Sequence, residues 1–214
     1  MKDIIIVCED LFGMEVASLL EDINRWFAAR DQEELFHILG YLSDSECPFG
    51  SVKTDLAHLG TIRDWSPLGE ERYVMGMLLP ASKRYAVETL VQRGCRFTTI
   101  YTPWMLAPEI DLGLGSIVAA YSVKQGIKLG RYATIMEGMI TSHHIGEYST
   151  ILRFSNITGD VENDVYIGNH VYSHTGTVIG DHAFVADGSI VVKNVKPGTS
   201  VSGIPAKRIK KTGE

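Results

Sequence analysis

The sequence contains little cysteine, and it has no long hydrophobic run. Its three cysteines are odd in number and widely spaced, namely Cys8, Cys47 and Cys95. This usage is typical of buried thiols in a reducing compartment and argues against disulfides or a cysteine metal site. No apolar run approaches the roughly 20 residues that a membrane-spanning helix needs, and the first residues lack a signal-peptide pattern. We therefore expect a cytoplasmic protein that has no membrane partner.

The sequence also lacks an excess of positive charge. Its formal net charge is −6 and its isoelectric point is near 5.6, whereas sequence-independent binding to nucleic acid requires a basic face. Hydrophobic residues make up 45% of the chain and charged residues 21%, which is typical of a globular protein with an ordinary core. Nucleic acid is therefore not an expected partner.

What the sequence does contain is a repeat with a period of six residues, between about residues 129 and 192. Aliphatic residues recur at this spacing, with a serine in one position: Ile145, Ile151, Ile157, Ile167, Ser173, Ile179 and Val185. A period of six matches neither an α-helix nor an ordinary strand. It is typical of a left-handed parallel β-helix, in which each hexapeptide forms one side of a triangular coil and its aliphatic residue points into the core.

The repeat is interrupted twice. Ile135 predicts aliphatic positions at 141 and 147, but the next clear one is Ile145. Ile157 predicts a position at 163, but the next is Ile167. Each interruption corresponds either to two residues missing from a coil or to a local loop.

The first hundred residues show a different pattern, in which strands and helices alternate. Apolar runs predict strands, and apolar residues at helical spacing predict helices, in the order strand 2–7, helix 12–27, strand 36–42, strand 73–79, helix 81–93 and strand 97–101. This alternation indicates a small three-layer α/β domain with a parallel sheet. Pro103 and Pro108 mark its end. We expect an α/β domain at 1–104 and a β-helix domain with a C-terminal extension at 105–214.

The end of the chain carries the phrase Gly203-Ile204-Pro205-Ala206-Lys207, and residues 207–211 hold the only concentrated positive charge. A small Rossmann-like domain, a hexapeptide coil with an early histidine and this exit together resemble the sialic-acid O-acetyltransferase and bacillosamine N-acetyltransferase group of hexapeptide acyltransferases. The resemblance covers nearly the whole chain. It implies acetyl-CoA as the acyl donor, a sugar or nucleotide sugar of surface-glycan synthesis as the acceptor, and a homotrimer with active sites between subunits.

The chain departs from the family pattern in the turn after the first strand. The family has a glycine-rich turn there, whereas residues 8–13 read Cys-Glu-Asp-Leu-Phe-Gly and retain only Gly13. Glycines at such a turn let backbone N–H groups close on a phosphate, so a nucleotide diphosphate fits this turn poorly. The family precedent leaves Gly13 and Asp44, in the loop after the second predicted strand, as the candidate substrate-binding residues.

A second departure lies at the catalytic histidine, which the family carries in the motif Ile-Gly-His-Asp. Alignment through a shortened coil places Thr141 on the isoleucine, His143 on the histidine and His144 on the aspartate, whereas an alignment without the gap leaves no catalytic base. The gapped alignment assigns His143 as general base, because imidazole has a useful neutral fraction near pH 7. His144 is its supporting partner, and Glu137 or Glu147 would supply the missing carboxylate.

The coil corners and the exit form the predicted binding surface for the donor. Stacking of the coils places Thr175 and Gly176 above His143, close to the thioester. The family precedent assigns further corner and exit residues to the pantetheine arm, namely Ala186, Gly188, Gly203, Ile204 and Ala206. Lys207 and Arg208 are assigned to the phosphates of the donor, because charge-assisted hydrogen bonds favour such pairs.

Two other functions are compatible with the same coil. γ-Class carbonic anhydrases bind a metal with three histidines of adjacent β-helices. The histidines available here are His143, His144, His170, His174 and His182. The spacing from His170 to His174 is one residue short of that pattern, so no metal is expected. The altered glycine turn and His-Asp pair are also compatible with a catalytically silent binding or scaffolding trimer.

Overall fold

The computed structural model describes residues 1–104, 110–124 and 126–210. The chain divides into two compact units, Met1–Thr98 and Thr99–Glu214, a few residues before the predicted boundary at residue 104. Pro108, one of the two predicted boundary prolines, lies outside the described residues. Within the described ranges, no helix combines the length and the apolar character needed to cross a bilayer.

The N-terminal unit is a parallel sheet with two helices. Its elements are β1 Lys2–Cys8, α1 Phe12–Ala28, β2 Phe36–Leu42, β3 His58–Gly60, β4 Arg72–Gly76 and α2 Pro80–Gln92. The strand order is β3-β2-β1-β4, and every pairing is parallel. Residues 4–8 of β1 are completely buried, as expected for a continuous apolar run in a parallel strand covered on both faces. The predicted parallel sheet with helices is therefore confirmed.

One strand predicted for this sheet is wrong. Residues 97–101 are expected to form its fourth strand, but Phe97 makes only an isolated bridge to Tyr73. Ile100–Tyr101 is instead a strand of the second unit, and β3 completes the N-terminal sheet. The prediction fails because the apolar run 97–101 is divided between the units: Phe97 bridges to the N-terminal sheet, and Ile100–Tyr101 pairs with β7 of the coil. The cysteine prediction also needs a correction, since all three thiols are free but Cys47 is exposed.

The second unit is a parallel β-helix, which confirms the architecture predicted from the repeat. Its strands are β5 Ile100–Tyr101, β6 Asp111–Leu112, β7 Ile117–Ala119, β8 Ser122–Val123, β9 Lys128–Leu129, β10 Thr134–Met136, β11 Met139–Ile140, β12 His144–Ile145, β13 Thr150–Ile151, β14 Asn156–Ile157, β15 Asp160–Val161, β16 Tyr166–Ile167, β17 Tyr172–Ser173, β18 Val178–Ile179, β19 Phe184–Val185, β20 Ile190–Val191, β21 Ser200–Ser202 and β22 Lys207–Ile209.

These strands form the three sides of the coil. The sheet orders are β22-β21-β19-β16-β13-β10-β7-β5, β20-β17-β14-β11-β8 and β18-β15-β12-β9-β6. Strands of successive coils pair in parallel, and β22 pairs antiparallel with β21 at one end of its sheet.

Inward-pointing residues of successive coils stack in three columns that make up the core. One column contains Val118, Ile135, Ile151, Ile167, Val185 and Val201; the second contains Val123, Ile140, Ile157, Ser173 and Val191; the third contains Leu129, Ile145, Val161, Ile179 and Val195. Ser173 is tolerated in this apolar core because its hydroxyl oxygen accepts hydrogen bonds from the backbone N–H groups of Thr158 and Gly159, each over 3.0 Å.

Both interruptions of the repeat are shortened coils. Ile135 pairs with Ile151, and Ile151 pairs with Ile167, so each of these coils lacks two residues of the regular 18 and the first of the two interpretations is confirmed. Ile140 fills the core position of one shortened side and is completely buried, whereas Thr141 is exposed. The alignment of Thr141 with the family isoleucine is therefore wrong, because the shortening moves the core position one residue earlier.

Successive coils approach each other closely at one corner, where glycines line up. A Cβ added to Gly130 would lie 2.4 Å from the backbone nitrogen of Glu147, and one added to Gly146 would lie 2.4 Å from the backbone carbonyl carbon of Glu162. Backbone atoms cannot be displaced as cheaply as a flexible side chain, so only glycine fits these positions.

Candidate active site

His143 and His144 form the corner between β11 and β12. Their backbone N–H groups both donate to Oδ1 of Asp160, over 3.0 and 3.2 Å. Asp160 begins β15 in the next coil, so the corner is held by a carboxylate from a neighbouring level. His143 is exposed and His144 is half-buried. The imidazole of His143 is therefore accessible to a substrate while its backbone is fixed.

A lysine from the preceding coil contacts the imidazole of His143. Lys124 follows β8, which pairs with β11, and its Nζ lies 2.8 Å from His143 Nε2. An ammonium group can only donate hydrogen bonds, so Nε2 is the acceptor and the ring proton lies on Nδ1.

The two glutamates predicted to support His143 form ion pairs of their own. Glu137 Oε2 lies 3.2 Å from Nε of Arg153, and Glu147 Oε1 lies 2.8 Å from Nε of Arg131. Neither pair includes His143. The prediction fails because outward-pointing residues of this coil find partners on adjacent levels, which a reading along the chain does not show.

Two side chains that contact the 143–144 corner, Asp160 and Lys124, are not predicted from the sequence. Asp160 follows His143 by 17 residues and Lys124 precedes it by 19, so each lies about one coil away. Coils of 16 to 18 residues are the signal that could have found them, once the shortened coils are placed correctly.

We expect Asp160→Ala to lower kcat/KM at least about tenfold, because the corner loses the acceptor for two N–H groups and small misplacements of a base are costly. Asp160→Asn keeps an acceptor oxygen and should recover part of the loss. The matched control is Asp181→Ala, whose Oδ1 accepts the backbone N–H of Asn163 over 3.0 Å at another corner. Equal losses of activity in Asp160→Ala and Asp181→Ala would contradict a specific role for Asp160.

Thr175 and Gly176 lie at the same corner as His143, two coils further on. β11, β14 and β17 pair in register, and the corner segments follow these strands at each level. Two steps of strand spacing amount to about 10 Å. Thr175 is exposed, and Gly176 has a φ of +80° with no atom within 4 Å of the position of an added Cβ. The corner above His143 is therefore open.

The structure brings Gly188, Gly203 and Ala206 together around β20. Gly203 N donates to Ser189 Oγ over 3.3 Å. The N–H of Ile190 donates to the carbonyl of Gly203 over 3.1 Å, and the N–H of Ala206 donates to the carbonyl of Ile190 over 2.8 Å. A Cβ at Gly188 would meet no atom within 4 Å, and one at Gly203 would meet its nearest atom at 3.8 Å. These residues form an open shelf beside the start of β20, which we call the glycine shelf; Gly176 lies at a different corner, between β17 and β18.

The remaining donor-binding candidates lie near this shelf or at its margin. Ala186 is half-buried, and its carbonyl accepts a hydrogen bond from the hydroxyl of Ser189 over 2.6 Å. Ile204 is 73% exposed. Lys207 and Arg208 are exposed on β22, and Lys211 lies outside the described residues. An exposed apolar side chain beside two free-standing cations suits a ligand with both apolar and phosphate parts.

Gly13 and Asp44 have partners within the N-terminal unit. A Cβ at Gly13 would lie 2.5 Å from Cβ of Cys8, so this glycine permits α1 to pack against β1. Asp44 follows β2, accepts the backbone N–H of Arg63 over 3.1 Å and accepts the hydroxyl of Tyr85 over 2.7 Å. Asp44 therefore belongs to a polar cluster rather than standing free in a loop.

The turn after β1 is acidic and partly buried. Burial raises the pKa of the Cys8 thiol to about 12, and the charges of Asp10 and Glu9 act in the same direction. Burial also raises the pKa of Glu9, against a hydrogen bond from Ser82. These groups argue against a reactive thiol and against a cradle for a phosphate.

The histidines of the alternative metal site are not assembled. His170 stacks on Phe154 with ring centres 5.0 Å apart, and His182 Nδ1 lies 3.7 Å from Oδ2 of Asp164. In the part of the chain that the structure describes, no three histidine, cysteine or acidic side chains are grouped to hold a metal ion.

Fold and corner together define a hexapeptide-repeat β-helix with an exposed histidine whose backbone is held by Asp160. Solved structures similar to this chain include acetyltransferases. The acetyltransferase domain of PglB from Neisseria gonorrhoeae in complex with acetyl coenzyme A has a TM-score of 0.76 and 16% identity, covering 97% of this chain and 99% of that one. A variant of perosamine N-acetyltransferase from Caulobacter crescentus, in complex with CoA and GDP-perosamine, has a TM-score of 0.61 and 13% identity over 99% of this chain and 98% of that one.

The curated proteins that match are hexapeptide-type acetyltransferases as well. Galactoside O-acetyltransferase of Escherichia coli (strain K12) is 35% identical over 54 residues, which are 25% of this chain and 27% of that protein. The chain thus spans about a quarter of the length of this relative. No family model matches the chain. The predicted resemblance to hexapeptide-repeat sugar acetyltransferases is confirmed in fold and in sequence relatives.

Proposed function

We propose that this protein transfers an acetyl group from acetyl-CoA to a sugar or nucleotide-linked sugar, with His143 as general base. The observation that carries the proposal is the His143 corner. The imidazole of His143 is accessible, and its backbone is fixed by Asp160. The open position at Gly176 lies at the same corner two coils away, at a distance of about 10 Å.

The chemistry assigned to His143 is proton transfer. The acceptor must lose a proton as it attacks the acyl carbon, and an imidazole with a free nitrogen lone pair can take it near neutral pH. His144 has its backbone N–H on Asp160 and its side chain half-buried, which suits a supporting role. Thr175 and Gly176 are the proposed contacts close to the reacting carbonyl.

The glycine shelf and the basic exit fit the donor. Acetyl-CoA supplies an activated acyl group on a long amide-bearing arm with phosphates at its far end. Open space beside Gly176, Gly188 and Gly203 accommodates such an arm, and the exposed Lys207 and Arg208 supply positive charge for the phosphates. The PglB and perosamine acetyltransferase structures contain acetyl coenzyme A and CoA, respectively.

The N-terminal unit is the proposed acceptor-binding part. We propose a Rossmann-like arrangement, in which ligands bind at the carboxyl ends of parallel strands, and Asp44 after β2 lies at such an end. Gly13 and Asp44 are the proposed contacts, and the acidic turn at 9–10 favours a sugar over a diphosphate there. A left-handed coil, a cytoplasmic location and a homotrimer with shared sites complete the proposal, which follows the family resemblance.

The direct test is an acetyl-transfer assay. Purified protein is incubated with acetyl-CoA and a panel of free and nucleotide-linked sugars, thiol release is followed continuously, and products are identified by mass spectrometry. We expect an acetylated sugar that forms only with enzyme. CoA binding measured by calorimetry without transfer to any sugar would instead support the catalytically silent binding trimer.

A further inference from the structure

We propose, building on the acetyltransferase function above, that Lys124 makes this site select hydroxyl acceptors over amines. Its Nζ lies 2.8 Å from Nε2 of His143, the nitrogen that would receive the proton of the acceptor. Any acceptor that reaches this nitrogen must replace the ammonium group of Lys124 in the hydrogen bond. The displaced ammonium then stays beside the reacting atom.

The ammonium group of Lys124 is the charged group that contacts the imidazole of His143 directly. Asp160 is the nearby anion, but its Oδ1 already accepts the N–H groups of residues 143 and 144. Lys128, on β9, pairs through its backbone with His144 and adds a second positive charge to the same side of the coil. The group that sits at hydrogen-bond distance from Nε2 is a cation.

A cation at this position acts differently on the two acceptor classes. The amine of an amino sugar is less basic than that of lysine, but near neutral pH a large fraction of it is an ammonium ion, like an α-amino group, so it meets a like charge. Its nitrogen also gains positive charge as it attacks. A hydroxyl arrives uncharged and its oxygen becomes more negative as its proton leaves, which a nearby ammonium stabilises. Both effects favour the formation of an ester over an amide.

The proposed step balances without a further reactant. The O–H bond of the acceptor breaks and its proton moves to His143 Nε2, while the oxygen forms a bond to the acyl carbon of the thioester. His143 then returns this proton to the sulfur as the C–S bond breaks. The products are a sugar acetate ester and the thiol of CoA, and Lys124 remains protonated throughout.

The contact itself can be tested without any donor or acceptor. In ¹⁵N-histidine NMR spectra recorded where His143 is neutral, we expect the Nδ1–H tautomer in the wild type and a shift towards the Nε2–H tautomer in Lys124→Met. Lys128→Met removes a neighbouring charge and should leave the tautomer unchanged. An Nε2–H tautomer in the wild type would overturn the proposal, whatever the activity.

Acceptor choice is tested with GDP-perosamine and its counterpart that carries a hydroxyl in place of the amino group, and with glucosamine and glucose, all with acetyl-CoA. We expect kcat/KM to favour the hydroxyl partner at least about tenfold in the wild type, Lys124→Met to reduce this ratio about tenfold, and Lys124→Arg to retain it. Lys128→Met removes a positive charge on the same side of the coil, so it should reduce the ratio less than Lys124→Met does.

The outcomes separate this inference from the function on which it rests. A wild-type preference for the amine partner, or an unchanged ratio in Lys124→Met, overturns acceptor selection by Lys124 while acetyl transfer stands. Absence of transfer to every acceptor overturns the proposed function and the selection together, and the NMR tautomer then still reports whether Lys124 holds His143.

Discussion

His143→Ala is expected to lower kcat by about 10²- to 10⁴-fold, the usual contribution of a positioned general base. The imidazole is exposed and outside the core columns, so the variant should fold normally. The backbone contacts of the corner to Asp160 do not involve the deleted ring. Steady-state thiol release measures kcat, thermal melting measures the stability of the fold, and calorimetry measures the affinity for CoA, which should be unchanged.

A matched control for this variant is His182→Ala. Its side chain is also exposed on the coil, and it lies beside Asp164 rather than at the 143–144 corner. We expect its activity to stay close to that of the wild type. Activity within a few-fold of wild type in His143→Ala, with CoA binding intact, would remove His143 from the mechanism and would transfer the role to another group.

Gly146→Ala is expected to destabilise the protein strongly, with a loss of about 3 kcal/mol or more in the free energy of unfolding. The added Cβ would lie 2.4 Å from a backbone carbon of Glu162 in the next coil. Relief requires the coils to separate, which breaks ladder hydrogen bonds such as that from Gly146 N to the carbonyl of Val161 at 2.8 Å. Urea unfolding followed by circular dichroism measures the loss.

Gly198→Ala is the control for the glycine substitution. Gly198 has a φ of +64°, and an added Cβ would meet no atom within 4 Å. Tyr132 and Tyr148 adopt a φ of 58° and 59° in earlier coils, so the coil tolerates side chains in this conformation. A cost of about 1 kcal/mol is expected. Similar losses at both glycines would show that backbone conformation, and not contact between coils, decides the effect.

The architecture of this protein is readable from its sequence because one physical rule repeats along it. Each side of a coil must place one aliphatic residue in the core, and Ile145, Ile151 and Ile157 follow this rule at the regular spacing of six residues. The alternation at the start of the chain predicts its helices to within a residue or two, since α1 runs Phe12–Ala28 and α2 runs Pro80–Gln92. Such regular spacing involves residues that are close together in the chain, so a single sequence is enough to detect it.

The chemistry of the 143–144 corner is less readable, because it depends on residues from different coils. Lys124, His143 and Asp160 meet only when two shortened coils are counted correctly, and an error of one residue placed Thr141 in the core position that Ile140 occupies. Glu137 and Glu147, which are predicted from the sequence to support His143, instead form ion pairs with arginines of neighbouring coils. Contacts between coils depend on which residues lie at the same position in successive coils. A period of six predicts these positions only when every coil has its full 18 residues.

The antiparallel strand β22 has a consequence for the solution behaviour of the protein. A stack of parallel coils ends in a row of unpaired backbone groups, which is a template for end-to-end polymerisation. Pairing of β22 with β21 caps one side of that row, and the charges of Lys207 and Arg208 discourage another chain from adding to it. The segment proposed to hold the donor phosphates therefore also protects the coil from fibre growth.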